Sequence, residues 1–487
     1  MERSAKRREI PVMALYSLVL GAALALSAPY WLARMLFSAK DRGRYRAGLW
    51  GRLGRVPAEL RAAVAGRQVV WVHAVSVGEV LAATRLVAEL EARLNADVGD
   101  GLGARWVIVL STTTAAGQTL ARERFGAGVG SGDRAGSAAR VFWYPLDFAW
   151  AVRAYLRVLR PRLLVLMESE LWPRMLVECG RRGVPVAVVN ARASDRSYAR
   201  GLKVRAVWGR VLRRVTLFLA QSEEDGRRLV EMGARAGSVR VVGNLKYDVR
   251  APKESRVAEL IRAAAAGRPI VVAGSTVGRK KDGALSEEEM VIQAWAGALR
   301  REFGTVLVLA PRHAERFAEA ESVAMEFRLV RASDAGSAGE GTPSFAEGAK
   351  DGAPNLWAGA EVVLLNTIGD LAAVYGVADV AFVGGSLVRR GGHNPLEPAQ
   401  FGVPVVMGPS YENFRDVVGK MQAADGIRIV QNGDELAAAF IELLTDRESA
   451  RAMGERGRRV FEDQQGATGR VVAALVGLVR GGDEGSE

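Results

Sequence analysis

Short apolar runs separated by amphipathic stretches set the rhythm of most of this chain. QVVWVHAV (68–75), WVIVLS (106–111), RLLVLME (162–168), VPVAVVN (184–190) and TLFLAQ (216–221) read as buried strands. Between them, segments such as Gly78–Leu94 and Ala116–Arg124 carry helical spacing. Strands buried on both faces and alternating with helices predict a parallel sheet with helices on either side. The pattern then recurs in PIVVAG (269–274), TVLVLAP (305–311), VVLLN (362–366), VAFVGG (380–385) and PVVMG (404–408). Two such sets predict two doubly wound α/β domains, joined near 246–268. Ligands of open α/β sheets bind beyond the carboxyl ends of the strands, so the cleft between the domains is the expected site.

A different pattern precedes the first strand. From Ile10 to Ala33 there are 24 residues without a charge. As a helix they would span roughly 36 Å, enough for a hydrocarbon core of about 30 Å. Tyr30 and Trp31 close the run, and Arg34, Lys40, Arg42, Arg44, Arg46, Arg52 and Arg55 follow. A membrane anchor with a basic flank is expected over 1–56. The length of the run and its basic sequel argue against a cleaved signal peptide. Pro11 and Pro29 bracket the run, so a helix lying in the interface is the alternative to one that spans. The basic C-terminal flank predicts an inner-membrane protein with its main body on the cytoplasmic side. Arg3, Lys6, Arg7 and Arg8 make the other flank basic too, so charge alone does not set the orientation.

Composition sharpens this picture. The 487 residues include 67 Lys or Arg and 54 Asp or Glu, a net charge of +13. The charge is uneven: +7 over 1–60, +1 over 61–150, +12 over 151–250 and −7 over 251–487. The basic half should therefore meet something anionic, a membrane or a nucleic acid. No nucleic-acid reader motif or aromatic stacking surface is evident, which favours the membrane. One cysteine, Cys179, excludes a disulfide scaffold. Only three histidines, His73, His313 and His393, argue against a histidine-rich metal site, and no metal or cofactor is expected. Gly126–Ala139 and Ser333–Ala360 are rich in small residues and read as surface insertions.

Candidate chemistry collects at strand ends. In WVHAVSVGEV, Ser76 and Gly78 make a small turn, and Glu79 opens the next helix. A carboxylate there can take a proton from an attacking hydroxyl, or can simply favour the helix dipole. In MESELWPRM, Glu168 and Glu170 stand at the end of a strand, where Ser169 or Glu170 could instead open a helix through Trp172 and Pro173. NARASDRSY offers Arg192, Ser194, Arg196 and Ser197 to phosphate or carboxylate oxygens. GNLKYD places Lys246 at the domain junction. In the second half, Pro311-Arg312-His313 and Asn366-Thr367-Ile368-Gly369-Asp370 follow strands. In GGSLVRRGGHNPLEPAQFGVPVVMGP, Gly391 and Gly392 allow close backbone approach. Asn394 can cap a helix starting at Pro395, whose N-terminus would suit an anion. Glu397 lies one turn in, placed to accept from ribose hydroxyls. This spacing points to a nucleotide phosphate.

These motifs, HAVSVGE, MESELWP, NARASDRS, GNLKYD, PRH, IGDLAAVYGVADVAFVGGSL and GGHNPLEP, occur in the order found in 3-deoxy-D-manno-octulosonic acid (Kdo) transferases, and the chain resembles that family over residues 10–470. The resemblance implies two Rossmann-like domains of the GT-B glycosyltransferase type: an acceptor-binding one at 57–250 and a CMP-sugar-binding one at 251–487. It implies inverting transfer of Kdo from CMP-Kdo to the lipid A precursor. By motif, Glu79 resembles the general base, and Glu168 and Lys246 the groups assigned to transition-state stabilisation. Pro311, Arg312, Ile368, Gly369, Asp370, Asn394, Pro395, Leu396 and Glu397 resemble the CMP site. Ser76, Gly78, Arg192 and Arg196 are acceptor-binding candidates. One departure stands out. After Ser275-Thr276 the family has a short His-Glu-Gly-Glu-type segment, whereas this chain reads VGRKKDGALSEEEM. The alternatives are a sugar-nucleotide epimerase or another lipid-directed glycosyltransferase on the same fold, and, further off, a membrane-tethered nucleic-acid-binding protein.

Overall fold

The computed structural model describes residues 2–37, 48–96, 105–126, 140–248, 255–278, 285–336 and 357–481. The basic residues Lys40, Arg42, Arg44 and Arg46, the bulk of both small-residue insertions, the 279–284 part of the departing loop and the tail from 482 lie outside the described residues. The chain forms two compact units, Met1–Asp248 with Gly466–Glu487, and Val249–Gln465.

The first unit holds β1 (Gln68–His73), β2 (Trp106–Thr112), β3 (Val141–Trp143), β4 (Leu163–Met167), β5 (Val186–Ala191), β6 (Leu217–Ala220) and β7 (Val239–Val241). They form one parallel sheet in the order β3-β2-β1-β4-β5-β6-β7. The strand order therefore reverses between β1 and β4. Alternation along β1 sends Val69 and Trp71 to one buried face and Val70 and Val72 to the other. Both faces are dry, which is why these strands read as continuous apolar runs.

The second unit repeats the plan with β8 (Ile270–Thr276), β9 (Val306–Pro311), β10 (Leu329–Arg331), β11 (Val362–Leu364), β12 (Val380–Val383), β13 (Val405–Met407) and β14 (Ile427–Ile429). Their order is β10-β11-β9-β8-β12-β13-β14, again all parallel, with the reversal between β8 and β12. All ten strands expected from the apolar runs are present. Glycine is required where the two central strands end. A Cβ on Gly274 would lie 2.0 Å from the Tyr375 hydroxyl oxygen, and one on Gly384 would lie 2.6 Å from the Ser275 carbonyl oxygen.

The C-terminus corrects the expected 251–487 domain, because the helix Ala467–Arg480 belongs to the first unit. Its Val471, Leu475 and Val479 recur every four residues and pack in one cluster with Leu86 and Leu90. Gly466 gives this helix no side-chain cap. Asp248 supplies one instead, its carboxylate accepting from the Gly466 N–H at 2.7 Å and from the Thr468 N–H.

The N-terminal helix runs Glu2–Phe37. Its Val12–Tyr30 stretch, with mean hydropathy 1.9, is the one described segment long and apolar enough to cross a membrane. One side of that stretch is tied to the first unit. The Tyr16 hydroxyl donates to Asp147 at 2.9 Å, and Arg174 donates to the Met13 carbonyl at 2.7 Å and the Ser17 hydroxyl at 3.0 Å. Asp147 also accepts from the Arg174 and Met175 N–H groups, both at 2.8 Å, and so caps the helix Pro173–Gly180. The outer side shows Leu15, Leu18, Val19 and Leu26 to the surroundings.

Removing the Asp248 carboxylate strands two helix N–H groups. Asp248→Ala is expected to cost about 2 kcal/mol, read as a lower urea midpoint at unchanged slope. An unchanged midpoint would show that the cap contributes nothing.

Candidate active site

Glu79, Glu168 and Lys246 come together at the point where the first unit's strand order reverses. The helix Val77–Asn95 begins directly after β1, with Ser76 as its N-cap. Glu79 folds back over that cap: its Oε2 accepts from the Val75 N–H at 2.7 Å and its Oε1 from the Ser76 hydroxyl at 3.0 Å. The capping alternative is thus realised in the structure, and it holds the carboxylate in one orientation. Burial pushes the Glu79 carboxyl above the usual range, and the charges of Glu168 and Glu170 act the same way, while the bonds from Val75 and Ser76 oppose. Gly78 faces open space, since a Cβ there would meet only the Ser76 Oγ at 4.0 Å. No neighbour within the unit demands glycine at this exposed turn.

Glu168 follows β4 with a left-handed backbone, φ +57°. The chain past it is irregular, and the next helix starts only at Pro173, with Trp172 at its cap position, so neither Ser169 nor Glu170 opens it. Glu168 Oε1 receives the Lys246 Nζ at 2.8 Å. Burial raises the Glu170 carboxyl, and Glu168 adds to the shift.

Lys246 is placed by three amides that the sequence reading did not single out. Asn244 Oδ1 accepts from the Lys246 N–H at 3.0 Å, and Asn244 Nδ2 donates to Gln221 at 2.9 Å. Gln221 donates to the Asn190 carbonyl at 2.8 Å, and the Asn190 side chain accepts from the Leu245 N–H at 3.1 Å. Asn190 sits at φ +56° within β5, where the register against β6 shifts. Arg192 and Arg196 follow β5, with Arg196 exposed. His73, at the end of β1, lies in the core. It is fully buried, stacks on Tyr144 at 3.8 Å, and burial drives its pKa down to about 3.

In the second unit, Arg312, the Ile368-Gly369-Asp370 turn and Asn394–Glu397 follow β9, β11 and β12. These strands and β8 are consecutive in the sheet, so all the expected nucleotide residues lie along one stretch of its carboxyl edge. The Arg312 N–H is held by the Thr276 carbonyl at 2.9 Å. Burial raises the Glu397 carboxyl, with Arg312 and Asn394 opposing. Burial also lowers His393 to about 4, with the nearby Arg312 and His313 charges adding to the effect. Pro311 is buried, Ile368 is 88% exposed, and Gly369 has φ +103°.

One detail differs from expectation. The helix after Asn394 is a single turn, Leu396–Ala399, with Pro395 preceding rather than starting it. Asn394 still accepts from the Leu396 N–H at 3.1 Å. So short a helix does not make the anion site by itself, and Arg312 is the fixed positive charge beside Glu397.

The departing loop contributes two buried carboxylates that the sequence reading missed. Glu287 accepts from Val277, Gly385, Ser386 and Leu387 N–H groups at 3.0, 2.6, 2.9 and 2.8 Å. Glu288 accepts from the Thr276 hydroxyl at 2.9 Å and from Arg316 at 3.0 Å. The signal lay in Ser286-x-x-Glu289, a capping box that marks the helix start.

Two Rossmann-like units, each with charged residues gathered beyond the carboxyl ends of its central strands, are the parts of a GT-B glycosyltransferase. Residues 342–460 match the family described as "Glycosyl transferases group 1". A UDP-GlcNAc 2-epimerase structure from Neisseria meningitidis shares the fold at TM-score 0.51, with 10% identity over 84% of this chain and 99% of its own. At that identity the likeness concerns the fold alone. Residues 47–249 match the family described as "3-Deoxy-D-manno-octulosonic-acid transferase (kdotransferase)". The chain is 34% identical to the 3-deoxy-D-manno-octulosonic acid transferase of Bordetella pertussis, over 89% of this chain and 94% of the relative. It is 30% identical to that of Haemophilus influenzae, over 84% and 86% respectively. The chain belongs to the Kdo transferase family.

A carboxyl whose pKa is raised by folding favours the native state while protonated. That contribution is complete below the unfolded value of about 4.3 and is lost as pH rises through the folded value. Glu79→Gln should therefore gain stability relative to wild type between pH 4 and pH 8, measured as the difference in Tm. A difference that moves the other way would mean the carboxylate is stabilised in its charged form. Gly78→Ala should keep the wild-type Tm and lose at least tenfold in transfer rate; full activity would remove substrate approach at this turn.

Proposed function

We propose that the protein transfers Kdo from CMP-Kdo to a hydroxyl of the lipid A precursor, inverting the anomeric centre. Glu79 is the general base. The acceptor oxygen bonds to the anomeric carbon of Kdo as its proton passes to the Glu79 carboxylate. The bond from that carbon to the phosphate oxygen breaks, and CMP leaves. The observation that carries this reading is the Glu79 carboxylate itself. It is oriented by two hydrogen bonds, raised in basicity by burial, and set beside the open space at Gly78. A base of raised pKa at a fixed position is what proton transfer near neutral pH needs.

Lys246, paired with Glu168, supplies positive charge near that base, and Ser76, Arg192 and Arg196 contact the acceptor. Arg312 neutralises the phosphate of CMP, while Asn394, Glu397 and the Ile368–Asp370 turn hold the nucleoside, with Pro311 and Leu396 as apolar walls. These donors take the place of a metal. The apolar helix anchors the protein to the inner membrane with both units on the cytoplasmic side. Its ties through Met13, Tyr16 and Ser17 support a helix held against the first unit and sharing its interface with lipid.

Incubation with CMP-Kdo and tetraacylated lipid A precursor should give a product heavier by whole Kdo residues in mass spectrometry. EDTA should leave the rate unchanged, and Glu79→Ala should abolish transfer while CMP still binds. An acceptor mass unaltered by the wild-type protein would refute the reading, and loss of activity in EDTA restored by Mg²⁺ would refute its metal-free part.

A further inference from the structure

Beside Glu168 the first unit contains a cavity of about 310 Å³ whose apolar interior has no part in the transfer step described above. Its floor is core: Phe218, Leu229 and Met232 are 5% exposed or less. Leu171 and Trp208 form its walls, and Glu168 and Ser169 stand at one end. Arg192, Ser197 and Arg200 are the polar groups at its mouth. Its size lies at the lower end of the range for small-molecule pockets. A mostly apolar cavity with arginines at its exposed edge fits an alkyl chain carrying an anionic head, and it fits poorly a nucleotide or a free sugar.

The elements around the mouth point to the source of that chain. Two short helices, Asp195–Lys203 and Arg205–Leu212, cover the cavity and meet at Val204. Residues 192–214 carry eight Arg or Lys and one acidic residue. On the same stretch Leu202, Val204 and Val207 are 41%, 52% and 61% exposed, interleaved with exposed Arg200, Lys203 and Arg205. Apolar side chains ringed by cations are suited to an anionic bilayer surface. Gly201 makes the arrangement possible, because a Cβ there would lie 2.4 Å from the Met232 sulfur.

We propose that this cavity receives one acyl chain of the acceptor lipid and that Arg192 and Arg200 meet an anionic group on its sugar. The inference rests on the transfer reading above and adds a specificity determinant to it. The chain enters from the bilayer under Val204, and its seating brings the sugar hydroxyl to the Glu168 end. Each methylene removed from water is worth about a factor of four in affinity. Chain length within the cavity should therefore govern KM, with kcat little affected.

Val204→Trp tests this, since position 204 is a half-exposed helix junction at the mouth and far from any core demand. Dodecyl phosphate, titrated below its micelle concentration, should bind wild type and lose at least tenfold in affinity to Val204→Trp; butyl phosphate should bind neither. In transfer assays the variant should raise KM for the tetraacylated acceptor at least tenfold, with kcat and the KM for CMP-Kdo unchanged. Unchanged CMP-Kdo KM also certifies the fold. Equal dodecyl phosphate binding by both proteins, or an unaltered acceptor KM, overturns the cavity as an acyl site. Absence of transfer by the wild type overturns the functional reading instead, and the alkyl phosphate titration separates the two failures.

Discussion

Backbone N–H groups left unpaired beyond a parallel strand must find an acceptor, and in both units a glutamate on the following helix provides it. The two glutamates differ in what remains. A carboxylate offers about four acceptor positions. Glu287 gives all four to Val277, Gly385, Ser386 and Leu387 and is fully buried. It closes the β8–β12 reversal and has no capacity left for chemistry. Glu79 gives two, to Val75 and Ser76, and remains next to the space that Gly78 leaves open. The same structural demand thus yields a saturated carboxylate in one unit and one with acceptor capacity to spare in the other.

The remaining site parts depend on that frame. Glu168 reaches the β1–β4 reversal because its left-handed backbone turns the chain sharply after β4. Lys246 reaches it because Asn190, Gln221 and Asn244 hold its turn by side-chain amides. Asp248, two residues on, fastens the returning C-terminal helix to the same unit. One six-residue motif, GNLKYD, therefore both positions a candidate catalytic cation and closes the fold.

Much of this was legible in the sequence, for a physical reason. The ten strands evident as apolar runs are the interior strands of both sheets, where burial on two faces enforces continuous hydrophobicity. The four that do not stand out as apolar runs, β3, β7, β10 and β14, are the edge strands, and of these only the short strand before Lys246 was expected. Each has only three residues, and β7, β10 and β14 carry arginine in VRV, LVR and IRI, as edges do to discourage further pairing. Apart from Lys246, which follows the edge strand β7, the motif residues of the candidate site were legible because they follow interior strands. Glu287 was not, because its role depends on N–H groups about a hundred residues away. The return of the 467–480 helix was not either, since its apolar face carries no label for which sheet it covers. The single-turn helix after Asn394 shows the limit of reading Asn-Pro as the start of a longer one.

The basic charge takes a definite form on this frame. The +12 of residues 151–250 includes the cation-rich stretch over the apolar cavity, adjacent to exposed Leu202, Val204 and Val207. The second unit, net acidic as a segment, concentrates its site charge in Arg312 beside Glu397. In the proposed reaction the ionised, partly hydrogen-bonded Glu79 takes the acceptor's proton. The pH dependence of kcat/KM for Kdo transfer tests it most directly. An acid limb with a midpoint above the ordinary glutamate value of about 4.3 is expected, present in the wild type and absent from the residual activity of Glu79→Gln. An identical acid limb in both proteins would contradict it.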